Sequence, residues 1–489
     1  MNPVTIATLA LYFVAMLAIG IYAARFTTND SEGYLLGGRS LGPLLAALAV
    51  GATGMSGWLI LGFPGDAYSR GLMVGWLALG LFTGAFTNWI VVAPRLREQT
   101  ERLGNALTIP EFLANRFPGQ AIAIRVVAAV IIVVFFSVYT ASGLVGGGKM
   151  FASTFPELFG GDQHAAYLTG IWLTAGVVVT YTMIGGFLAV SFTDAVQAVI
   201  MLAALILMPL VVLWNLGGPA PSSEVLNAAD PGLLDMWGSL TLFGFLSAFT
   251  WGLGYFGQPH ILTRFMAVKS VRAIPAARNW AMTWMGLVLL GAMAVGITGR
   301  AWVEGTHYAL DDPETVFLLL ARTLFSPAVT GFLLAALLAA IMSTVSSQLL
   351  VASSSLTEDF YRLFVRREAS EREMVNAGRG AVLLVAVIAG VLANNPDAKV
   401  LGLVANAWAG FGAAFGPLMI LSLMWRRMTG WGALAGLMVG AGTVAGWIAL
   451  GWNQSFLGGE GLYEILPGFV ASWIAIVVVS LATQESAQA

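Results

Sequence analysis

Two short, glycine-rich interruptions of apolar segments carry the residues best suited to chemistry in this chain. The first, residues 51–58, reads Gly-Ala-Thr-Gly-Met-Ser-Gly-Trp, and the second, residues 252–259, reads Gly-Leu-Gly-Tyr-Phe-Gly-Gln-Pro. Within a membrane, irregular backbone is tolerated only where it is buried in protein or lines a cavity. Its free carbonyl groups can coordinate a cation, and the exposed N-terminus of the next helix can receive an anionic group. A pair of broken helices is typical of a secondary transporter.

Ionisable and hydroxyl side chains inside apolar segments form a second set of candidates. Asp194 lies near the start of the sixth predicted helix, and an ionisable residue within the membrane is a functional candidate. Ser343, Ser346 and Ser347 share one helix face because they stand at positions i, i+3 and i+4. Two structural alternatives stay open. Asp194 can cap its helix from a cytoplasmic vestibule, and the Ser and Thr hydroxyls can bond to carbonyl groups of the preceding turn.

Composition places these residues in a polytopic membrane protein surrounded by lipid. Hydrophobic residues make up 58% of the 489 residues and charged residues 10%, whereas soluble domains carry about 25% charged residues. The net charge of −2 offers no basic surface for nucleic acid. The chain has no cysteine and three scattered histidines, and no phosphate loop, metal cluster or nucleophile–base pair stands out. We therefore expect neither an enzyme nor a nucleic-acid-binding protein.

The apolar segments predict an all-α protein of about 13 membrane-spanning helices. The expected spans are residues 5–24, 41–63, 71–94, 123–154, 165–184, 189–215, 238–262, 279–302, 326–357, 379–394, 399–425, 431–451 and 465–483. Most of the 23 Lys and Arg residues fall in one set of alternate loops, Arg264 among them, and this bias marks the cytoplasmic side. The N-terminus is therefore expected outside and the C-terminus in the cytoplasm, in the plasma membrane of a bacterial cell (the inner membrane).

The two interrupted segments come into register when the chain is folded about its middle. The first starts from the cytoplasmic side and the second from the outer side, as in an inverted-topology repeat. The predicted organisation is a peripheral helix with an inner loop (1–40), repeat one with helices 2–6 (41–215), repeat two with helices 7–11 (238–425), and two peripheral helices with a short cytoplasmic tail (426–489). The fold class is thus all-α and polytopic, with a five-plus-five inverted-repeat core that contains both broken helices.

Several strings resemble those of the sodium/solute symporter family, and in particular its sodium/proline symporter branch. They are residues 36–43 (Leu-Gly-Gly-Arg-Ser-Leu-Gly-Pro), 55–58 (Met-Ser-Gly-Trp), 251–260 (Trp-Gly-Leu-Gly-Tyr-Phe-Gly-Gln-Pro-His), 342–344 (Met-Ser-Thr) and 407–417 (Ala-Trp-Ala-Gly-Phe-Gly-Ala-Ala-Phe-Gly-Pro). The similarity covers nearly the whole chain. It implies a transporter with thirteen spans and five-plus-five inverted repeats.

The resemblance implies a sodium site between the first broken helix and the ninth helix. The positions that match the family's ligands are the backbone oxygens of Ala52, Met55 and Ala340 and the hydroxyls of Ser343 and Thr344. Na⁺ is a hard cation that prefers oxygen ligands, and neutral oxygens suit weak, reversible binding. Bonding of the two hydroxyls within their own helix is the structural alternative.

A possible second sodium site is implied by Asp194 with Ser343, Ser346 and Ser347, which match positions that some family members use. Members of the proline branch carry Asp at the position of Gly54, and that carboxylate is important for their dependence on sodium. Because Gly54 has no side chain, we expect Asp194 to supply the charge linked to the ion.

The resemblance also links a group of mostly aromatic residues to the solute. These residues are Trp58, Tyr139, Trp251, Tyr255, Gln258 and Pro259. An imino acid has an apolar ring, a cationic nitrogen and a carboxylate. Aromatic rings can cover the apolar part and attract the nitrogen by roughly 0.5–2 kcal/mol, while backbone N–H groups take the carboxylate. A Trp or Tyr in a membrane protein otherwise belongs to the interface or to helix packing.

The expected function is sodium-coupled symport of proline into the cell by alternating access, with Na⁺ as the coupling ion. The first alternative keeps the fold but carries another small zwitterion or a carboxylate, or uses protons, which the missing carboxylate at Gly54 favours. The second is a transporter-like sensor. A channel is disfavoured because two unwound helices suit occlusion better than a continuous pore.

Overall fold

A computed structural model describes residues 2–27, 30–238 and 240–484 of the protein. Met1, Thr28, Asn29, Ser239 and the predicted tail residues 485–489 lie outside the described residues. The helices are α1 (Pro3–Ala24), α2 (Ser31–Leu36), α3 (Pro43–Gly54), α4 (Gly62–Arg70), α5 (Gly75–Val91), α6 (Ala93–Arg102), α7 (Ile109–Arg116), α8 (Ala121–Thr154), α9 (Gln163–Asn215), α10 (Pro219–Ala229), α11 (Leu242–Phe249), α12 (Pro259–Ala267), α13 (Ile274–Thr306), α14 (Val316–Leu324), α15 (Pro327–Leu356), α16 (Glu371–Leu392), α17 (Val400–Met424), α18 (Gly430–Ala449) and α19 (Ile465–Gln484).

The long helices follow the predicted spans. Within the described residues, ten helical stretches are long and apolar enough to cross a membrane, so the count of thirteen spans stays a prediction. Predicted helices five and six are the two parts of α9, which Gly186 divides with φ +56° and ψ −148°. The short helices α2, α6, α7, α10 and α14 were not predicted, because none contains an apolar stretch long enough to be read as a span.

The first interruption lies where the sequence places it, but the helix beyond it is longer than predicted. The chain leaves α3 at Gly54, forms a 3₁₀ turn at Gly57–Leu59, and resumes as α4. The predicted end at residue 63 is therefore wrong. Asp66 and Arg70 look like loop charges in the sequence, yet they stand one turn apart on α4 and pair with each other. Gly71, with φ +61°, ends the helix.

The second interruption is a 3₁₀ segment, Thr250–Gly257, between α11 and α12. Pro259 opens α12, where its missing N–H costs nothing. The predicted end of this span at residue 262 is wrong, because α12 continues to Ala267. Arg264 caused the error, since it was counted as a cytoplasmic loop residue although only 1% of it is exposed.

The start of the first broken helix lies against the end of the second. Leu41 and Val268 form an isolated parallel β-bridge, in which the Leu41 N–H donates to Ala267 O (3.1 Å) and the Lys269 N–H donates to Leu41 O (3.0 Å). Arg39 reinforces this junction, because its guanidinium donates to Met266 O (2.9 Å). An inverted pair of broken helices requires such an arrangement, although the repeat boundaries stay predictions.

Two helices form the centre of the bundle around the interruptions. In the most apolar stretch of α17, 89% of residues are buried, and in that of α15, 83%. The corresponding values for α1 and α19 are 28% and 33%, so these helices lie at the periphery. The interruptions therefore lie beside the most buried helices, where unwound backbone at membrane depth can be covered by protein or line a cavity.

Glycines let the neighbouring helices approach the second interruption closely. On α5, a Cβ at Gly80 would stand 2.2 Å from Phe249 O, and a Cβ at Gly84 would stand 2.1 Å from Gly252 O. These two residues form a Gly-x-x-x-Gly pattern, which in membranes allows contact between backbones. On the opposite side, a Cβ at Gly254 would overlap the indole of Trp408 on α17.

This close contact predicts that Gly84→Ala destabilises the fold. In an exposed helix interior, alanine is more favourable than glycine by about 1 kcal/mol. The matched control is Gly442→Ala in α18, where nothing lies within 4 Å of the added Cβ. This control should be neutral or stabilising. In Gly84→Ala the added methyl group must push α5 away from Gly252. We expect a fall of several degrees in the thermal unfolding midpoint of the purified protein, and equal midpoints in the two variants would contradict the packing.

Candidate ion and solute site

Two hydroxyls of α15 face the carbonyl groups that the end of α3 leaves free. The Ser343 hydroxyl donates to Ala52 O (3.2 Å) and to Ala340 O (3.1 Å). The Thr344 hydroxyl donates to Thr53 O (3.0 Å) and also lies 3.4 Å from Ala340 O and 3.5 Å from Ala52 O. All these residues are fully buried or nearly so. These neutral oxygens form a compact group at the first interruption, which is the first cluster of the site.

The arrangement brings together four of the five predicted sodium ligands. Ala52, Ala340, Ser343 and Thr344 contact one another directly. The N–H of Met55 donates to Ala52 O (3.4 Å) where α3 ends, but its own backbone oxygen, the predicted ligand, accepts no hydrogen bond from these four described residues. The hydroxyls also bond within α15, so the structural alternative holds as well. Bonding within α15 and a role as a sodium ligand are compatible. A hydroxyl that donates to a carbonyl group still has lone pairs that can face a cation.

Asp194 lies in a separate, fully buried cluster whose main partner is an arginine. Its carboxylate accepts from the Arg264 guanidinium (2.6 Å) and from the Thr53 hydroxyl (3.1 Å). Asp194 and Arg264 are 0% and 1% exposed, and Arg264 also donates to His260 O (2.9 Å). The other Asp194 oxygen has no hydrogen-bond partner among the described residues. The reading of Asp194 as a helix cap in a cytoplasmic vestibule is therefore wrong.

The predicted serines divide between the two clusters. Ser347 lies with Asp194, because its hydroxyl contacts Arg264 (2.5 Å) and the Thr53 hydroxyl (3.0 Å). The Ser346 hydroxyl instead donates to Ser343 O (3.0 Å) and forms no hydrogen bond with Asp194. The predicted cage of one carboxylate and three hydroxyls is therefore not complete. The guanidinium of Arg264 occupies part of it.

Thr53 connects the two clusters, and sequence reasoning missed it. Its carbonyl group accepts from Thr344 in the first cluster, while its hydroxyl contacts Asp194 and Ser347 in the second. The interruption makes this possible, since a residue in the interior of an α-helix has its carbonyl group occupied by its own helix. The position of Thr53 between Ala52 and Gly54 was the available signal, because it is the only hydroxyl within the last turn of α3.

The predicted solute residues surround the two interruptions, and Trp251 among them lines a large open cavity. Trp58 and Trp251 lie with ring centroids 6.4 Å apart, and Tyr139 lies edge-on to His260 at 6.0 Å. Tyr255 packs edge-on against Trp408 at 5.0 Å. The cavity beside Tyr255 has a volume of about 20 Å³, which holds about one water molecule. Trp58, Tyr139 and Tyr255 are 1%, 1% and 4% exposed, so the aromatic pocket is closed around its own side chains.

Buried polar atoms without partners mark where a polar ligand would be satisfied. Among the described residues, Ser56 Oγ, Trp58 Nε1, Tyr139 Oη and Gln258 Oε1 have no hydrogen-bond partner, nor do the two ring nitrogens of His260. All five residues are at most 2% exposed. Such groups are costly to bury unpaired, and together they offer both donors and acceptors. Ser56 and His260 were not among the predicted solute residues, although both stand within the family-like strings.

A large vestibule opens above this pocket, at the end of the bundle that the charge pattern predicts to be outside. Its volume is about 570 Å³. Its floor includes Trp251, and its walls carry the charged residues Asp66, Arg70, Lys399, Glu460 and Glu464. Burial raises the pKa of the Glu464 carboxyl to about 7. Charges of both signs line the walls, so the vestibule suits a zwitterion better than a simple anion or cation.

The carbonyl groups of the second interruption are held by two side chains that sequence reasoning did not assign. The indole N–H of Trp408 donates to Trp251 O (2.8 Å), and the Asn88 amide donates to Tyr255 O (2.9 Å). Gln258 in turn donates to Trp408 O (3.2 Å), and Pro259 opens α12 directly after it. Of the predicted solute residues, Gln258 and Pro259 therefore hold the backbone of this interruption.

Position 54 faces the solute side of the first interruption. A Cβ at Gly54 would lie 3.3 Å from Ile261 and 3.7 Å from the ring of Tyr255. A side chain there would extend toward α12 rather than toward the hydroxyls of Ser343 and Thr344. A carboxylate at this position would thus lie between the first cluster and the aromatic pocket.

Comparisons with known proteins identify the family of this chain. The family model of the sodium:solute symporter family matches residues 34–440. The osmoregulated proline transporter OpuE of Bacillus subtilis is 49% identical over 484 residues, which cover 99% of this chain and 96% of that protein. The sodium/proline symporter of Staphylococcus aureus is 48% identical over 494 residues, which cover 99% of this chain and 94% of that protein.

The fold is shared with a solved transporter of much lower sequence identity. The substrate-bound, outward-open structure of a Na⁺-coupled sialic acid symporter matches with a TM-score of 0.78 over 98% of both chains, at 16% identity. The family match spans most of the chain, and the two bacterial relatives share nearly half of its residues over almost their full lengths. This chain therefore belongs to the sodium:solute symporter family.

Proposed function

We propose that this chain is a sodium-coupled symporter that carries proline into the cell by alternating access. The observation that carries the proposal is the group of neutral oxygens that Ser343 and Thr344 form with the carbonyl groups at the end of α3. It supports a weak site for a hard cation at an interrupted helix. Relatives that are nearly half identical are named as a proline transporter and a sodium/proline symporter.

The membrane potential makes a single sodium ion a sufficient driver. Moving one positive charge inward yields about 2.3 kcal/mol per 100 mV. Because every 1.4 kcal/mol is a tenfold ratio, this energy concentrates a neutral zwitterion about fiftyfold. Proline is such a zwitterion at neutral pH, so the ion supplies the net charge that the potential acts on. This direction of transport assumes that the N-terminus lies outside, the C-terminus lies inside, and the membrane is the bacterial inner membrane.

Proline would bind among the aromatic residues that border both interruptions. Trp58 Nε1 and Tyr139 Oη can donate to the carboxylate, and Gln258 Oε1 and Ser56 Oγ can accept from the ammonium group, since each of these atoms is unpaired within the described residues. The rings of Trp58 and Trp251 would cover the apolar ring of the solute. The pocket must widen to admit it, because the rings of Trp58, Tyr139 and Tyr255 are at most 4% exposed.

Asp194 and Arg264 would form an ion-linked pair that sodium modulates. The guanidinium neutralises the buried carboxylate, and the free Asp194 oxygen remains available to a cation. A second cation at this oxygen would compete with Arg264 for the carboxylate and weaken its hold on α9. Thr53 would transmit the change, since it bonds to Asp194 and to Thr344. Binding of Na⁺ in the first cluster and separation of Arg264 from Asp194 would thereby be coupled.

The test of the function is uptake of labelled proline by proteoliposomes containing the purified protein. Accumulation should require an inward sodium gradient and should increase when the interior is made negative. Uptake driven equally well by a proton gradient would favour proton coupling, as the missing carboxylate at Gly54 suggests. Unlabelled zwitterions and carboxylates added as competitors would identify another solute, and no uptake under any gradient would contradict a transporter of these solutes.

The first cluster predicts that Ser343→Ala and Thr344→Ala weaken sodium dependence. A hydrogen-bond partner of a charged group contributes about 1.5–3 kcal/mol, so the sodium concentration for half-maximal uptake should rise tenfold or more. Ser353→Ala is the matched control, because Ser353 lies on the same helix and bonds only to Leu350 O (2.8 Å). Wild-type sodium dependence in both test variants would show that the cluster merely holds the helices together.

The buried pair predicts different behaviour for single and double variants. Removing one partner leaves an unpaired buried charge and costs about 3–5 kcal/mol, so Asp194→Asn and Arg264→Gln should each lower the unfolding temperature. The double variant Asp194→Asn with Arg264→Gln removes both charges and should recover stability. If Asp194 takes part in ion coupling, the double variant will fold but lose most sodium-dependent uptake. Normal coupling in the stable double variant would make the pair purely structural.

A further inference from the structure

A tyrosine from outside the predicted repeats stacks on the aromatic floor of the vestibule. Tyr463 belongs to the segment between α18 and α19, and its ring lies 5.0 Å from that of Trp251, inclined by 25°. On the other side Trp251 faces Trp58, with 6.4 Å between ring centroids. The three rings form a column from the vestibule to the first interruption. Tyr463 and Trp251 are 7% and 8% exposed, so they fill this passage.

Tyr463 joins both helices that border the second interruption on its vestibule side. Its hydroxyl donates to Ala405 O of α17 (2.8 Å), and its backbone N–H donates to Ser247 Oγ of α11 (3.0 Å). A tyrosine ring in a loop would ordinarily be free to turn toward lipid or solvent. Here two hydrogen bonds and the stacking contact fix it in one orientation, directly against the indole of Trp251.

The rest of the segment, residues 450–464, is built as a support for this ring. The Trp447 indole N–H donates to Leu462 O (2.8 Å), and the Thr241 hydroxyl donates to the Glu460 carboxylate. Phe456 packs on Trp447 with ring centroids 4.9 Å apart. The segment is therefore anchored to α18 and to the residue preceding α11. Because the segment is fixed to α18 and to the start of α11, a movement of α17 relative to them acts directly on the contact between Tyr463 and Ala405.

We propose that Tyr463 is a positioning residue of the solute gate, which holds Trp251 over the solute pocket and thereby sets the affinity for the solute. The proposal rests on the proposed function, because it assumes that the solute enters from the vestibule past Trp251. In this arrangement the last two helices, which the repeats do not include, contribute directly to transport. The Ala405 contact gives the gate its release, since movement of α17 withdraws the carbonyl group that orients the Tyr463 ring.

The experiment compares Tyr463→Ala, Tyr463→Phe and the matched control Leu457→Ala, which shortens a side chain of the same segment that is 85% exposed. Each variant is assayed in proteoliposomes for proline uptake and, in detergent at saturating sodium, for dissociation of bound labelled proline. Loss of one well-packed aromatic contact should raise the proline concentration for half-maximal uptake about tenfold in Tyr463→Ala. Dissociation should accelerate similarly, and Tyr463→Phe should recover most of the affinity because it keeps the stacked ring.

Two readouts separate the gate from a structural role and from failure of the proposed function. The sodium concentration for half-maximal uptake, measured at saturating proline, should stay at the wild-type value in Tyr463→Ala, because Ser343 and Thr344 are untouched. Equal effects in Tyr463→Ala and Leu457→Ala, or wild-type affinity and dissociation in a folded Tyr463→Ala, would overturn the gate. If the wild-type protein itself takes up no proline, the proposed function fails, and competition among other zwitterions would identify the solute for the same comparison.

Discussion

The backbone of the two interrupted helices is the constraint on which the rest of the structure depends. Inside a membrane no water is available to satisfy free carbonyl and N–H groups, and each unsatisfied group costs several kcal/mol. Side chains of other helices must therefore supply the missing partners. Ser343 and Thr344 of α15 serve the first interruption, and Asn88 of α5 and Trp408 of α17 serve the second. Glycines at the contacts allow those helices to come close enough to do so.

The same requirement creates the chemistry of the site. Hydroxyl-to-carbonyl bonds of 3.0–3.5 Å between Thr344 or Ser343 and the end of α3 are enough to satisfy the backbone, and each contributes only about 0.5–1.5 kcal/mol net. A cation that enters among these oxygens replaces weak contacts by stronger ones without unfolding either helix. Under the proposed function, ion binding and the packing of α3 on α15 would be one equilibrium.

Much of this organisation was predictable from the sequence, and the exceptions have identifiable causes. Hydropathy and glycine-rich strings located both interruptions, and the family resemblance led to the oxygens of Ala52, Ala340, Ser343 and Thr344. Charged residues misplaced two helix ends: Asp66 and Arg70 pair one turn apart on α4, and Arg264, which was assigned to a loop, pairs with Asp194 from within α12. A sequence does not show which charges meet across helices, so the buried Arg264 looks like a loop residue. The roles of Thr53 and Trp408 were missed for a similar reason, because they depend on which helices touch the breaks.

Under the proposed function, the Asp194–Arg264 pair would link charge to transport in a chain with Gly54. A carboxylate at position 54 would extend toward Tyr255 and Ile261, between the ion cluster and the aromatic pocket. Asp194 lies on the other side of Thr53, where Arg264 neutralises it. A protein that places its buried carboxylate there, with its own cation attached to α12, can bind an ion in the neutral cluster and change the Asp194–Arg264 pair through one threonine. Since α12 is part of the second broken helix, the pair joins the ion cluster to the helix that borders the solute.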